Sequence, residues 1–379
     1  MPSPNRRLRL TFISAPLGYL NRGSETFVHD LANQLSKSSI VSVLHAGPAP
    51  QDHQYLSFHL TLSPPPISHL PHTHLLNRLF ITPARLWQLL FYLLSLPRLL
   101  ATRPDFVFPT SSGWNTPLYK LASIIFGFKL IIIGHSGPGW DDHWNLLWHP
   151  TAFIALTNSQ FDWAKRFAST STHLVHIPGG IDFRQFKTAA HVSLNLPKPL
   201  ILSVGALEAN KNLDLTIRAV AKLKSASLLI LGSGPQLNYL NRLCNKLLGS
   251  KRFLIKAVSH QQMSAYYHAA TIFTLCSHSR EAFGLSYLEA LASGLACVAT
   301  ADPSRREIIG PAGLYVSNPH NAAQYAQVLQ RALERHWGTL PLRQAAKFSW
   351  GIISTQYLKL FKTLIKLAYN PESSGNASR

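Results

Sequence analysis

The chain is poor in cysteine. It has three cysteines in 379 residues, and Cys244, Cys276 and Cys297 lie far apart in apolar surroundings. An odd number of dispersed thiols excludes a disulfide framework and a zinc-binding framework, and it is typical of reduced, buried thiols. We therefore expect a cytoplasmic protein.

Acidic residues are also scarce. The sequence has 16 Asp and Glu against 36 Lys and Arg, which gives a formal net charge of +20. Such a chain can attract nucleic acid, an anionic membrane surface or acidic small molecules. Because no cluster of Lys and Arg is interleaved with aromatic residues, we expect no nucleic-acid partner, and a membrane surface remains a candidate.

The sequence lacks long apolar runs. The apolar run after the arginine-rich start ends before Gly18, which predicts a first strand rather than a signal peptide. No unbroken run reaches the ~18–20 residues that span a bilayer. Residues 86–100 are strongly apolar, and they favour a helix packed on a sheet or an interfacial helix that dips into a membrane. Pro97 and Arg98 interrupt this stretch and argue against a span.

What the sequence does contain is enough apolar residues, 46%, for two cores. Residues 8–36 and 199–213 each read as a strand, a glycine-containing loop and the start of a helix. This order opens a doubly wound α/β domain. We predict two Rossmann-like domains, residues 1–185 and 186–351, with residues 183–198 as the linker between them.

The most informative stretch is residues 281–299, which read as an acid, a glycine-containing loop, a short apolar helix, a glycine stop and a buried strand. Ser286 and Glu289 predict a capping box at the start of the helix, and Gly294 predicts its end. A helix start presents free N–H groups and a positive dipole end, which suit a diphosphate. Glu281 and Glu289 can accept hydrogen bonds from sugar hydroxyls, although they could also be a solvated charge and a cap.

The two glutamates, with E-A-F-G-L-x-x-L-E-A-L-A-x-G between and after them, closely resemble the signature of the retaining glycosyltransferases of family 4, the glycosyl transferases group 1. The resemblance implies the α/β GT-B fold, in which two Rossmann-like doubly wound domains face a central cleft. It implies that a last helix, here residues 352–370, crosses back onto the first domain. The resemblance is strong over residues 199–350 and weaker over residues 8–185.

Further site residues are implied by the resemblance. Glu281 contacts the donor sugar, Glu289 contacts the nucleotide ribose, Lys211 neutralises the diphosphate, and His135 lies between donor and acceptor. The implied catalytic set is Glu281, His135 and Lys211. The implied donor-binding set is Gly205, Lys211, Phe283, Gly284, Leu285, Ser286 and Glu289.

The sequence departs from the family pattern at two loops. The acceptor loop has Arg22 and Gly23 where the family has two glycines, so the arginine either binds an acceptor phosphate or faces solvent. Ala206 and Asn210 occupy the positions where a second cation is expected beside Lys211. The loss of one charge-assisted contact weakens binding by about 1.5–3 kcal/mol unless another cation replaces it. The candidate replacements are Arg184, Lys256 and Arg280.

The implied reaction is transfer of a hexosyl group from a GDP- or UDP-sugar to a hydroxyl acceptor, such as a lipid or a glycan precursor, at the inner face of the membrane. The chain has no D-x-D motif, and His69, His72 and His74 lack an accompanying carboxylate or thiolate, so we expect no metal and no cofactor. Two alternatives stay open. They are a GT-B epimerase that acts on a nucleotide sugar, and an inactive sugar-binding or membrane-scaffold protein, which the two departures favour.

Overall fold

The computed structural model describes residues 6–20, 23–65, 74–187, 192–277 and 282–369. Within these residues the chain forms two parallel β-sheets, each flanked by helices. The arginine and the glutamate predicted at positions 22 and 281 lie outside the described residues, as does Arg280.

The first sheet has seven strands among the described residues, in the order β3-β2-β1-β4-β5-β6-β7. Its central strands at residues 106–109, 129–133 and 152–155 are almost entirely apolar, because both faces of a parallel sheet are covered by helices. The strands are β1 (Arg9–Ser14), β2 (Ile40–His45), β3 (Leu56–His59), β4 (Phe106–Pro109), β5 (Lys129–Ile133), β6 (Ala152–Ala155) and β7 (His173–His176). The helices are α1 (Gly23–Ser36), α2 (His74–Arg78), α3 (Pro83–Thr102), α4 (Asn115–Phe126), α5 (Trp140–Leu147), α6 (Asn158–Ala164) and α7 (Phe183–Lys187).

The second sheet has six strands among the described residues, in the order β10-β9-β8-β11-β12-β13. The strands are β8 (Leu200–Val204), β9 (Ser227–Leu231), β10 (Phe253–Lys256), β11 (Ile272–Leu275), β12 (Cys297–Thr300) and β13 (Gly313–Val316). The helices are α8 (Leu213–Ala221), α9 (Leu237–Leu248), α10 (His260–Ala269), α11 (Leu285–Ala292), α12 (Pro303–Ile309), α13 (Ala322–Glu334), α14 (Leu340–Ala346) and α15 (Trp350–Tyr369).

The strand order reverses once in each sheet, between β1 and β4 and between β8 and β11. Ligands of such sheets bind beyond the carboxyl ends of the strands at these reversal points. The loops that follow β1, β8 and β11 therefore hold the positions where a ligand is expected. They are also the loops to which the sequence assigned most of the site.

The last helix returns to the first sheet, as expected. Phe361 on α15 packs on Phe106 of β4 with ring centroids 4.8 Å apart. The same helix contacts α1, where the side chain of Gln34 donates to Ser354. The two halves also meet at Glu307, which accepts a hydrogen bond from the main chain of Asn158 at 2.8 Å.

Two local expectations were wrong. The first helix begins at Gly23 rather than Glu25. The segment predicted as the linker starts with a short helix, α7, that buries Phe186. The sequence also predicted no stretch long enough to span a bilayer, because no unbroken apolar run reaches that length. Leu75–Thr102, which includes a few polar residues, is nevertheless long and apolar enough to cross a membrane by length and composition. In this structure, however, α3 packs on the first sheet, and the buried hydroxyl of Tyr92 donates to the main chain of Ile13 at 3.0 Å.

Candidate active site

Helix α11 begins beyond the end of β11 without a side-chain cap. Its N-cap is Gly284, which has φ +91°, a conformation that favours glycine. The predicted capping box between Ser286 and Glu289 is therefore wrong. The main-chain N–H groups of the first helical turn, at Leu285 and Ser286, point away from the helix and can donate to an anion. The predicted stop is confirmed, since Gly294 follows the last turn with φ +83°.

Lys211 lies on the loop after β8, at the end of a single 3₁₀ turn, Ala209–Lys211. A Cβ built on Gly205 would lie 3.7 Å from Lys211 Cδ, so the lysine stem crosses directly over this glycine. The next residue, Asn212, donates from Nδ2 to the main-chain oxygen of Cys276 at 3.0 Å. This bond joins the loop that carries Lys211 to the carboxyl end of β11.

The loops of the two sheets meet at Gly23. A Cβ built on Gly23 would lie 3.8 Å from Leu285 Cδ1. Gly23 begins α1 in the first half, and Leu285 begins α11 in the second half. The expected acceptor-side glycine and the expected donor-side helix start are therefore neighbours across the two halves.

His135 lies just after β5, separated from it by Gly134. Its ring packs edge-on against Phe27 of α1, with centroids 4.8 Å apart. Among the described residues, its buried Nε2 atom has no hydrogen-bond partner. Burial lowers the pKa of His135 to about 4, so the ring is neutral at physiological pH. A neutral imidazole with an unpartnered nitrogen can exchange a hydrogen bond with a substrate hydroxyl.

The buried side-chain amide of Gln160 holds the His135 loop in place, and the sequence did not predict this role. Gln160 Nε2 donates to the main-chain oxygen of Gly134 at 2.8 Å and to Asp142 Oδ2 at 2.7 Å. Its Oε1 accepts from the main chain of Leu156 at 2.8 Å. The amide thus joins the ends of β5 and β6 to α5, and it leaves no room for a side chain at Gly134, where a Cβ would lie 2.2 Å from Nε2.

Glu289 is held by two side chains of α10. The hydroxyl of Tyr267 donates to Oε2 at 2.7 Å, and His260 Nε2 lies 3.3 Å from Oε1. The Tyr267 ring is fully buried and the Glu289 side chain is 9% exposed. Neither partner was predicted from the sequence, because nothing in residues 260–269 indicates that these side chains contact Glu289.

Phe283 packs against the turn that joins the halves. Its side chain is 5% exposed, and a Cβ built on Gly179 would lie 2.6 Å from its ring. This close packing leaves no room for a side chain at Gly179. Since the ring is buried here, a ligand contact at Phe283 would come from its main chain.

A buried cation lies near the carboxyl end of β11. Arg305 is 1% exposed, and its guanidinium contacts Asp302 at 3.1 Å and the hydroxyl of Ser277 at 2.8 Å. Ser277 is the last described residue after β11, and the described residues resume at 282. Arg184 and Lys256 are the described candidates for the missing second cation. Lys256 lies on the outer strand β10, where it donates to the hydroxyl of Tyr266 at 3.0 Å. Among the described residues, no group of three His, Cys, Asp or Glu is arranged to hold a metal ion.

Asp30 on α1 faces the α10–α11 region, and burial raises the pKa of its carboxyl to about 7, with the positive charge of His260 acting against this. The folded-state pKa lies above the ordinary value, so ionisation of Asp30 costs stability progressively as the pH rises from about 4 to 7. That difference corresponds to at most roughly 4 kcal/mol.

Asp30→Asn is therefore expected to raise the melting temperature at pH 8 by about 4–8 °C, with a smaller gain at pH 4.5. Thermal unfolding followed by circular dichroism at the two pH values measures this. Asp52→Asn is the matched control, because the Asp52 side chain is 70% exposed. An equal gain at both pH values would show that ionisation of Asp30 is not the cause.

Together these groups can bind an anion at the start of α11, neutralise it with Lys211 and offer a neutral histidine from the opposite half. Residues 185–347 match the family model described as glycosyl transferases group 1. Curated relatives named D-inositol 3-phosphate glycosyltransferase, from Mycobacterium bovis and Mycobacterium tuberculosis, are 29% identical over 214 residues. The match covers 51% of this chain and 44% of the relatives' own length, so it spans less than half of those proteins.

The solved structures extend the likeness to the whole fold. A sucrose-phosphate synthase from Thermosynechococcus elongatus superposes with a TM-score of 0.76 at 20% identity, covering 95% of this chain and all of that one. Anabaena HepE in complex with UDP and glucose superposes with a TM-score of 0.72 at 14% identity, covering 94% of this chain and all of that one. These likenesses confirm the GT-B fold.

Proposed function

We propose that this chain, whose residues 185–347 form a domain of the glycosyl transferases group 1 family, transfers a hexosyl group from a nucleotide-diphosphate sugar to a hydroxyl acceptor. The observation that carries the proposal is the close approach of Gly23 and Leu285, since a Cβ built on Gly23 would lie 3.8 Å from Leu285 Cδ1. It places the uncapped start of α11 opposite the first half of the chain. The hydrogen bond from Asn212 to Cys276 ties the Lys211 loop to the end of β11, which precedes this helix. The relatives support the donor class, since HepE was solved with UDP-glucose.

In the proposed reaction the bond between the anomeric carbon and the diphosphate oxygen breaks, and a bond from the acceptor oxygen to the same carbon forms. Negative charge develops on the departing diphosphate. Lys211 and the N–H groups of Leu285 and Ser286 stabilise this charge, which is the main electrostatic contribution expected in such catalysis. The acceptor proton passes to the departing diphosphate on the same face of the sugar, so the anomeric configuration is retained. Glu281 orients the sugar, as the resemblance implies.

The acceptor is proposed to be lipid-linked, at the cytoplasmic face of a membrane. Helices α2, α3 and α4 expose an apolar surface, which we call the α2–α4 surface. Its members are Leu75, Leu79, Ile81, Leu86, Leu90, Leu93, Leu94, Leu121, Ile124, Ile125 and Phe126, each 38–69% exposed. Residues 74–130 carry six Lys and Arg and one Asp, so the surface suits anionic lipid.

This surface adjoins the His135 loop. Arg85 on α3 pairs with Asp141 of α5 at 2.8 Å, and Trp140 donates to the main chain of Arg78 at 2.6 Å. Helix α5 begins directly after the glycine-rich loop that carries His135. An acceptor anchored in lipid beside the α2–α4 surface could therefore reach the site without leaving the membrane.

The membrane proposal predicts binding to vesicles that contain anionic lipid, with affinity that falls as salt rises, because salt screens the surface charges. Ile124→Glu together with Ile125→Glu is expected to weaken vesicle binding at least tenfold, as two apolar side chains lose their burial in lipid. Co-sedimentation with phosphatidylglycerol vesicles measures the binding. Leu237→Glu on α9, at an exposed apolar position in the second half, is the matched control. Equal binding of the double variant and the control would refute the assignment of the surface.

The reaction is tested by release of nucleoside diphosphate from UDP- and GDP-sugars, with and without acceptor lipid. Release that depends on the acceptor, with an axial or equatorial product linkage that matches the donor, supports retaining transfer. Conversion of the donor sugar without an acceptor would favour the epimerase. No release from any donor would favour an inactive binding protein.

A further inference from the structure

Glu289 has more hydrogen-bonding capacity than its partners use. An ionised carboxylate offers about four lone-pair positions on two oxygens. The hydroxyl of Tyr267 occupies one position on Oε2, and His260 Nε2 occupies one on Oε1. Counting the described residues alone, one position on each oxygen remains, which suits two adjacent hydroxyls such as those of a ribose.

The two partners fix the carboxylate from one side. The ring of Tyr267 is fully buried against Phe273 of β11 and Phe186 of α7. Burial raises the pKa of Tyr267 well above its ordinary value, so the phenol remains a donor. Its hydroxyl also lies 3.3 Å from the main-chain oxygen of Ser286, which ties the same group to the first turn of α11.

His260 adds a positive charge at the other oxygen. Burial opposes that charge, yet Glu289 and then Asp30 and Asp52 outweigh burial and raise the pKa of His260. His29 of α1 also interacts with it electrostatically. Because Asp30 and Asp52 belong to the first half, His260 links the carboxylate to the opposite side of the site.

We propose that Tyr267 and His260 are positioning residues that hold the Glu289 carboxylate so that it accepts hydrogen bonds from both ribose hydroxyls, and that this pair makes the site selective for ribonucleotide over 2′-deoxyribonucleotide donors. The inference rests on the proposed function, in which Glu289 contacts the ribose. It predicts that variants at Tyr267 and His260 discriminate less between ribose and 2′-deoxyribose, rather than losing nucleotide binding in general.

The test is the ratio of dissociation constants for 2′-deoxy-UDP and UDP, and for 2′-deoxy-GDP and GDP, measured by calorimetry on the full chain. A hydroxyl bonded to a charged group makes this ratio about tenfold or more in the wild type for whichever base binds. Tyr267→Phe and His260→Gln should each lower the ratio at least threefold while leaving the affinity for the deoxy compound unchanged. Tyr266→Phe is the control, because the Tyr266 hydroxyl pairs with Lys256 instead.

The outcomes distinguish a failure of the positioning role of Tyr267 and His260 from a failure of the proposed site itself. If Glu289→Gln brings the ratio near one while Tyr267→Phe and His260→Gln keep the wild-type ratio, the positioning role is overturned and the ribose contact stands. If Glu289→Gln keeps the wild-type ratio, or no nucleotide binds, the proposed site itself is overturned. Should Tyr267→Phe fail to fold, His260→Gln decides alone, since its side chain is 30% exposed and its loss leaves no buried gap.

Discussion

Lys211→Ala is expected to lower kcat/KM for donor turnover by about 100- to 1,000-fold, the usual cost of removing one group that stabilises charge in a transition state. The effect should be large here because Ala206 and Asn210 leave the loop without the second cation that the family pattern has. Lys211→Arg should recover part of the rate, since it restores the charge but not the fit of the stem over Gly205.

Steady-state release of nucleoside diphosphate measures this effect, together with thermal unfolding to show that the fold is intact. Lys222→Ala is the control, because Lys222 is exposed at the end of α8, the helix that follows the same loop. A Lys211→Ala variant with the rate of the control would remove the lysine from the site.

His135→Ala is expected to lower kcat by about 100- to 1,000-fold with little change in the affinity for nucleoside diphosphate. His135 belongs to the first half, whereas the proposed diphosphate contacts belong to the second. Because the pKa of His135 is about 4, the pH profile of kcat should lack an inflection from this imidazole between pH 5 and 8.

Rapid-mix turnover and calorimetry with UDP or GDP separate the two effects. His320→Ala, at an exposed loop position, is the control. A drop in nucleotide affinity as large as the drop in kcat would instead make His135 a structural support of the donor site, and unchanged kcat would exclude it from the reaction.

The fold could be predicted from sequence because its signals are local. Buried parallel strands such as Lys129–Ile133 read as continuous apolar runs, and each half opens with a strand, a glycine loop and a helix. The start of α11 was harder to predict. The spacing of Ser286 and Glu289 fits a capping box, but the buried hydroxyl of Tyr267 takes the Glu289 side chain instead.

The rest of the site depends on contacts between residues far apart in sequence. The Gln160 amide joins three elements, and nothing near Gln160 in the sequence indicates that it supports His135. Likewise, nothing near Arg305 in the sequence indicates that its guanidinium is buried beneath the end of β11. The sequence predicted only the part of the α2–α4 surface that lies in residues 86–100. The contribution of α4 could not be predicted, because only the structure shows which face of this helix is buried and which is exposed.

The account depends on a nucleoside diphosphate binding where the ends of the two sheets meet. Hydrogen–deuterium exchange with and without UDP or GDP measures this directly. We expect slower exchange at the main-chain amides of Leu285–Tyr287 and of the loop from Gly205 to Lys211, and we expect Lys211→Ala to abolish that protection. Binding that protects neither segment, or no binding of either nucleotide, would contradict the account.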